Sequence, residues 1–296
     1  MNDGVRFRAY AAWVFVCVVW GTTYLAIRIC LDTVPPLLMG GFRYIIAGGV
    51  LLAGLAVAGQ TLPGRRAWRS LAVLGALMIG CGNGGVVWAE QTVPSGLTAV
   101  LVAMSPFWMV GVDAFAHPRV PLTTRRVIGL VIGFAGIVLL VWPQLEVGGG
   151  RGFIAGVVAS QIACIGWALG SAYSRRRGHR EAKDENVLAT AAYQMLFGGV
   201  CLLVSGFAIG EGPRLAFTTE TAGALAYLIV LGAVGGFTAY VYALKHLPVA
   251  TVSLYAYVNP VIAVVLGTLI LKEPLSPRLA VAAAVVLSGI ALVRET

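Results

Sequence analysis

Long apolar runs separated by short polar connections extend over the whole chain. A run of about 18 or more apolar residues can cross a hydrocarbon core about 30 Å thick as a helix. The pattern predicts ten transmembrane helices, at residues 10–29, 35–58, 68–89, 94–115, 125–142, 152–174, 187–209, 221–244, 248–271 and 277–293. The longest polar connection, 175–186, has only twelve residues, which leaves no room for a soluble domain. The predicted fold class is therefore an all-α integral membrane protein, with its functional site between helices.

Composition supports this interpretation. Hydrophobic residues make up 59% of the 296 positions and charged residues 11%, with a mean hydropathy of +0.88, whereas soluble domains have about 25% charged residues. The basic start, "MNDGVRFRAY", resembles a signal peptide, but no small-residue cleavage site closes the apolar run that follows. We therefore expect this run to remain as the first helix.

The positions of the basic residues predict the orientation, because short cytoplasmic loops retain Lys and Arg. If the N-terminus is cytoplasmic, fifteen of the 21 basic residues fall on the inner side. Arg43 lies within a span, and the outer side carries five: Arg28, Arg151, Arg214, Lys272 and Arg278. Both termini are thus predicted to be cytoplasmic. The net charge of +9 is then a topology signal and not an indication of nucleic acid binding.

The chain also repeats itself. "CVVWGTTYLAIR" at 17–28 aligns with "CIGWALGSAYSR" at 164–175, which places Cys17, Trp20 and Arg28 on Cys164, Trp167 and Arg175. "GGVLL" at 48–52 matches "GGVCL" at 198–202, "VPLT" at 120–123 matches "EPLS" at 273–276, and the prolines at 94 and 106 match those at 248 and 260. We therefore expect two repeats, 1–147 and 148–296. Five spans per repeat invert the second copy in the membrane, a common plan for secondary transporters.

With two five-helix halves, a "WG" in the first span, prolines in the fourth and ninth spans and "EPLS" before the last, the chain resembles the EamA-type branch of the drug/metabolite transporter superfamily. Within it, the size and overall pattern are most similar to YddG-type exporters of aromatic and other amino acids. The resemblance implies an exporter of the bacterial cytoplasmic (inner) membrane that works by alternating access. The family often has an acidic residue where this chain has Glu273. Val120 in the first half departs from that pattern.

Helical spacing suggests which side chains line a cavity. On the first span Trp13, Cys17, Trp20, Tyr24 and Arg28 form one stripe, and Ser160, Cys164, Trp167, Ser171 and Arg175 repeat it on the sixth. We expect Trp20 and Trp167 to line the cavity. The alternative assigns the tryptophans to packing and makes Trp13 and Tyr24 members of the interfacial aromatic belt, and for Trp13 we favour the belt.

Pro106 and Pro260 are predicted hinges, because a proline within a helix leaves the carbonyl four residues earlier without its hydrogen bond. These carbonyls belong to Val102 and Ala256. Ser105 and Asn259 could satisfy them, or could join them in binding a substrate ammonium group. Nearby aromatic side chains could contact an apolar substrate: Trp108, Tyr255 and Tyr257.

Charges inside spans are costly and need a reason. Arg43 could hold a substrate carboxylate or form a structural pair with Glu90, the alternative we slightly favour. Glu90 is also the candidate for proton coupling. Further lining candidates are weaker: Tyr44, Asn83, Trp88, Tyr193 and Gln194.

Other chemistry finds little support. "GCGNGG" at 80–85 resembles a phosphate loop, but no strand precedes it, so we interpret it as helix packing. The three histidines have no partners at ligand spacing, so neither a metal site nor a cofactor is expected, and no catalytic nucleophile is arranged for an enzyme. Gly129, Gly133 and Gly136 suit close packing, within the chain or in a homo-oligomer. The alternatives are a drug or nucleotide-sugar carrier of the same superfamily and, far less favoured, an integral-membrane enzyme.

Overall fold

A computed structural model describes residues 3–115, 123–146, 150–180, 186–252, 254–273 and 276–293. Within these ranges the chain is helical and forms no strand. We number the helical segments α1 (Asp3–Cys30), α2 (Pro36–Val57), α3 (Arg65–Ala89), α4 (Ser95–Val102 and Ser105–Phe115), α5 (Thr124–Glu146), α6 (Arg151–Arg180), α7 (Val187–Ala208), α8 (Thr219–His246), α9 (Val249–Val252 and Tyr255–Ile270) and α10 (Pro277–Val293).

Seven of these segments are long and apolar enough to cross a membrane: α1, α2, α3, α4, α6, α7 and α8. The other three contain shorter apolar stretches in the described part of the chain, Val127–Gly136, Tyr255–Ile270 and Pro277–Gly289. The expectation of a helical membrane protein is thus confirmed, while the number of ten spans stays a prediction.

Local signals in the sequence explain several helix starts. Pro36 occupies the first turn of α2, where its missing N–H costs nothing. The Asn186 side chain accepts hydrogen bonds from Leu188 N and Ala189 N at the start of α7. Thr218 and Thr221 form a reciprocal capping arrangement at the start of α8. These caps satisfy backbone donors that have no partner within their own helix.

The helices pack in a pattern that is preserved when the two halves are exchanged. Helix α1 lies against α8 and α9, and α6, its counterpart in the second half, lies against α3 and α4. Helix α2 pairs with α7, and α5 pairs with α10. The central crossings therefore occur between halves, so that a site between α1 and α6 would be built from both repeats.

The glycine stripe of α5 is used inside this bundle. A Cβ built on Gly289 of α10 would lie 2.7 Å from Gly133 N, and one on Gly136 would lie 2.7 Å from Val286 Cγ2. Such contacts require glycine, because any side chain would push the two helices apart. The stripe thus holds α5 and α10 together within one chain.

Candidate functional site

Trp20 lies at the centre of an aromatic cluster where α1 crosses α8 and α9. Its ring centroid is 5.0 Å from that of Tyr255, 5.3 Å from that of Tyr240 and 5.4 Å from that of Phe237. The indole Nε1 donates to the carbonyl of Gly232 at 3.0 Å. This hydrogen bond satisfies the polar edge of the indole, while its ring packs against the aromatic side chains of α8 and α9.

Trp167 occupies the corresponding place on α6, with a different environment. A Cβ built on Gly82 of α3 would lie 3.4 Å from Trp167 Cε3, so the indole packs against a glycine of the opposite half, as Trp20 does against Gly232 and Gly236. Cys17 and Cys164, one turn earlier on each helix, are 4% and 1% exposed. Both stripes therefore face protein and not lipid.

Trp13 differs from our expectation of an interfacial residue. Its Nε1 donates to the carbonyl of Val252 at 3.2 Å, and the ring packs with a buried cluster that includes Ala9, Ala243 and Leu247. It faces the bundle because Val252 is the last residue of the short segment Val249–Val252, whose carbonyl has no donor within that segment.

The carbonyl freed by Pro106 has the partner that we expected. Helix α4 breaks at Ala103 and Met104, and Pro106 lies in the first turn of the segment that follows. Ser105 Oγ donates to Val102 O at 2.7 Å, and Cys164 Sγ of α6 lies 3.7 Å from the same oxygen. The break thus contacts the repeat partner of Cys17.

Asn259 acts at the equivalent crossing of α9 and α1, but not on the carbonyl that we expected. With its amide nitrogen facing two carbonyls, it donates to Tyr255 O and Cys17 O at 3.0 Å each, and the expected bond to Ala256 O is not formed. The reason is position, since the side chain points across to α1, and Pro260 lies within a continuous helical segment. Asn259 thus joins the two halves.

The expected ion pair between Arg43 and Glu90 is not formed. Both Glu90 carboxyl oxygens and Arg43 Nε are buried without a hydrogen-bond partner. The Arg43 guanidinium instead lies 4.8 Å from the centre of the Tyr44 ring, a cation–π contact. Arg28 donates to the backbone carbonyl of Glu90 and not to its carboxyl group. The structural alternative for Arg43 is therefore wrong, and its role as an anion ligand stays open.

The remaining candidates separate into two groups. Tyr44 OH donates to Asn83 Oδ1 at 2.7 Å, which links α2 to α3 near Arg43; Tyr24, Trp88, Ser171 and Gln194 are half-buried. Three others have partners other than Trp20 and Trp167. Trp108 donates to Gln161 and approaches Phe134, Tyr193 lies against Trp68 and Phe197, and Tyr257 packs on the cluster around Met104 and Phe107. Helical phase explains why Tyr257 does not join Tyr255 beside Trp20, because residues two positions apart on a helix point to nearly opposite faces.

Two stretches of π-helix were missed by the sequence analysis. They cover Gly75–Asn83 in α3 and Leu228–Gly235 in α8, at corresponding places in the two halves. Such stretches are rare and are frequent at functional sites. The glycine content of these two stretches was the sequence signal that could have indicated them. The packing interpretation of residues 80–85 is confirmed, since built Cβ atoms on Gly84 and Gly85 would meet Leu202 and Ala163.

Two carboxylates of the second half, the buried Glu211 and the half-buried Glu273, cap helices of the first half. Glu273 accepts from Ser95 N at 2.8 Å and from Gly96 N at 3.2 Å, at the start of α4. Glu211 accepts from Leu38 N at 2.9 Å and from Leu37 N at 3.3 Å, at the start of α2. A carboxylate at a helix N-terminus is stabilised by the free N–H groups and the helix dipole. Both caps therefore fasten the halves together.

Long apolar helices that cross between two repeats, with a few polar and aromatic side chains at the crossings, define a class of multi-pass helical membrane transporters. The comparison with known families is specific. The chain belongs to the EamA-like transporter family, whose sequence model matches residues 8–142 and again 154–294. Together, the family and its relatives point to transport and not to enzymatic catalysis.

Curated relatives support this assignment over nearly the whole chain. The inner membrane transporter YedA of Escherichia coli K12 is 36% identical over 299 residues, covering 98% of this chain and 92% of YedA. The transporter YvbV of Bacillus subtilis and the protein PecM of Dickeya dadantii are 27% and 28% identical, each covering 94% of this chain and 89% of the relative. The chain is thus a multi-pass protein of the bacterial inner membrane.

A solved structure agrees with the fold. Its chain superposes with a TM-score of 0.67 at 20% sequence identity, covering 96% of both chains. At this identity the likeness concerns the fold alone.

Proposed function

We propose that this protein is a secondary transporter that exports amino acids, with aromatic and other apolar ones favoured, or closely related metabolites, as YddG-type exporters do. It works by alternating access. Ten spans form two inverted five-helix repeats, residues 1–147 and 148–296, with both termini in the cytoplasm. The substrate lies between α1 and α6, near the middle of the membrane, in a cavity that opens to one side at a time.

The paired crossings carry this proposal. Helix α1 contacts α8 and α9, and helix α6 contacts α3 and α4. These two interfaces correspond to each other, because the halves are related by sequence. A carrier with two such interfaces can loosen one while the other stays closed. Buried links are present at both: Asn259 to Cys17 at the first, and Cys164 to Val102 at the second.

The polar side chains suit a zwitterion with an apolar side chain. Arg43 has an unpartnered Nε and can bind a carboxylate. Val102 O accepts from Ser105 Oγ and from the weak Cys164 thiol, and a substrate ammonium can replace the thiol there. The Trp20 and Tyr255 rings, nearly perpendicular at 85°, can contact an aromatic or aliphatic side chain.

Exchange in liposomes tests the proposal. Purified protein is reconstituted with an internal pool of unlabelled phenylalanine, and entry of labelled phenylalanine is followed over time. We expect saturable exchange that tryptophan competes with, and none in protein-free liposomes. Arg43→Gln should raise the half-saturating concentration severalfold, because it removes the cation for the carboxylate. Absence of exchange with every amino acid, together with exchange of a cationic drug or a nucleotide sugar, would overturn the substrate assignment in favour of the rival carrier.

A further inference from the structure

Glu90 is the most unusual polar group among the described residues. It is completely buried, and neither carboxyl oxygen has a hydrogen-bond partner. The buried Glu211 shows what a carboxylate requires here, since it accepts two backbone N–H groups, as the half-buried Glu273 also does. A charged carboxylate without such partners is strongly disfavoured in a medium of low polarity. The environment of Glu90 therefore suits a neutral carboxylic acid.

The charged and titratable neighbours of Glu90 lie on α1, on α2 and in the connection between α9 and α10. Arg28 and Tyr24 lie on α1, Arg43 on α2, and Glu273 in the connection between α9 and α10. Neither arginine bonds the Glu90 carboxyl, since Arg28 is bound to the backbone carbonyl and Arg43 lies over Tyr44. The Glu273 carboxylate repels a second negative charge nearby. The positive charges of Arg28 and Arg43 favour a Glu90 carboxylate, but burial and the Glu273 carboxylate oppose it more strongly, and no direct counter-ion is in place.

Solvent comes close to this carboxyl group without reaching it. A cleft of about 230 Å³ at this end of the bundle is lined by Arg28, Thr92 and Glu273, among others. Glu90, next to them, has no exposed surface. A small separation of α4 from the α9–α10 connection would therefore admit water to Glu90. On the proposed topology this end faces the outside of the cell.

We propose that Glu90 is the proton-binding site of the transporter, an inference that rests on the transport function proposed above. When this end of the bundle is open, the carboxylate takes a proton from the outer solution and forms a carboxylic acid. Only the neutral acid is buried as the end closes. When the carboxyl next meets water in another conformation, the O–H bond breaks and the proton passes to a water molecule, which restores the carboxylate. Closure of the outer end is thereby coupled to the uptake of one proton.

Accessibility of this end can be measured without any substrate. Val93 is completely buried here, so a cysteine introduced by Val93→Cys reacts with maleimide only when the end opens. The rate is compared in the wild-type background and with Glu90→Gln, which mimics the neutral acid. The rate in the wild-type background is divided by the rate with Glu90→Gln, and this ratio cancels the pH dependence of the thiol itself. We expect this ratio to rise with pH, by up to about tenfold per pH unit, the limit for one proton.

Transport provides the second measurement. In liposomes that exchange phenylalanine, a pH gradient should accelerate net flux in the wild type, and phenylalanine addition should move protons detected by an internal dye. Glu90→Gln should retain exchange at equal pH and lose both proton effects. Glu211→Gln is the matched control, because that carboxylate is also almost completely buried but accepts two backbone N–H groups, and proton coupling should be unchanged in this variant.

The outcomes separate the two proposals. A labelling ratio that stays constant between about pH 5.5 and 8.5, or a Glu90→Gln variant that still couples flux to the gradient, would overturn the proton site. If Glu90→Gln does not fold, wild-type exchange without any proton movement overturns it equally. A rising ratio in a protein that exchanges no amino acid supports the proton site and rejects the amino acid substrate.

Discussion

At the scale of single residues, the carbonyl of Val102 shows how a proline in a membrane helix is accommodated. Pro106 cannot donate to it, and Ser105 Oγ and Cys164 Sγ take over. Ser160 makes a similar bond to Val157 O at 2.7 Å, in a helix without a proline. A serine side chain is therefore expected to contribute to stability at position 105 and not at position 160.

Ser105→Ala should reduce the free energy of unfolding by about 1 kcal/mol, because only the weak Cys164 thiol then remains for the Val102 carbonyl. Cys164→Ala alone should cost less. The double variant should cost more than the sum of the two, since it leaves a buried acceptor bare. Thermal unfolding in detergent measures these differences, with Ser160→Ala as the control. An equal effect of Ser160→Ala would contradict this explanation.

The two tryptophans of the repeat stripe make a second prediction at this scale. Trp20→Ala removes three ring contacts and the bond to Gly232 O, and should slow amino acid exchange severalfold. Trp20→Phe keeps an aromatic ring and should slow it less. Trp167→Ala should also reduce exchange. Initial rates in liposomes, normalised to the protein reconstituted, provide the measurement.

Phe7→Ala is the control for these variants, because Phe7 is 76% exposed on α1. Its exchange rate should equal that of the wild type. If Trp20→Ala and Trp167→Ala both exchange amino acids at the wild-type rate, the two tryptophans are not part of the substrate site.

At the scale of helices, glycine decides where close contact is possible. Gly289 faces the backbone of Gly133 on α5, whereas a Cβ built on Gly223 of α8 meets nothing within 4 Å. The chain thus offers two helical glycines with opposite surroundings. Replacing each of them by alanine distinguishes the need for a close helix contact from the general destabilisation that glycine causes within a helix.

Gly289→Ala should destabilise the protein by about 1–3 kcal/mol, the usual cost of overpacking. The added methyl group would meet backbone atoms, which cannot rotate away. Gly223→Ala should be neutral or slightly stabilising, because alanine has the higher helix propensity. Thermal unfolding of the two variants in the same detergent tests this. A neutral Gly289→Ala would show that the packing of α5 on α10 does not depend on this close contact.

At the scale of the whole molecule, the inverted arrangement predicts that corresponding loops lie on opposite sides of the membrane. Gly64 follows α2 and Arg214 follows α7, and both are exposed. Gly64→Cys should react with an impermeant maleimide only after cells are permeabilised, and Arg214→Cys should react in intact cells. The parent chain without the new cysteine is the control. Labelling of both from one side would exclude two inverted repeats.

The sequence by itself was sufficient for the helical membrane class, the approximate helix bounds and the family, because hydrophobicity and repeat spacing are properties of neighbouring positions along the chain. It also indicated that Val102 O would need a new partner, since the effect of Pro106 is local. It did not predict that Asn259 reaches Cys17, that Arg43 and Glu90 remain unpaired, or that Glu273 caps α4. These features join side chains to partners far away in the sequence, 178 positions in the case of Glu273 and Ser95. Only the packing of whole helices brings such residues together, so only the tertiary structure decided them.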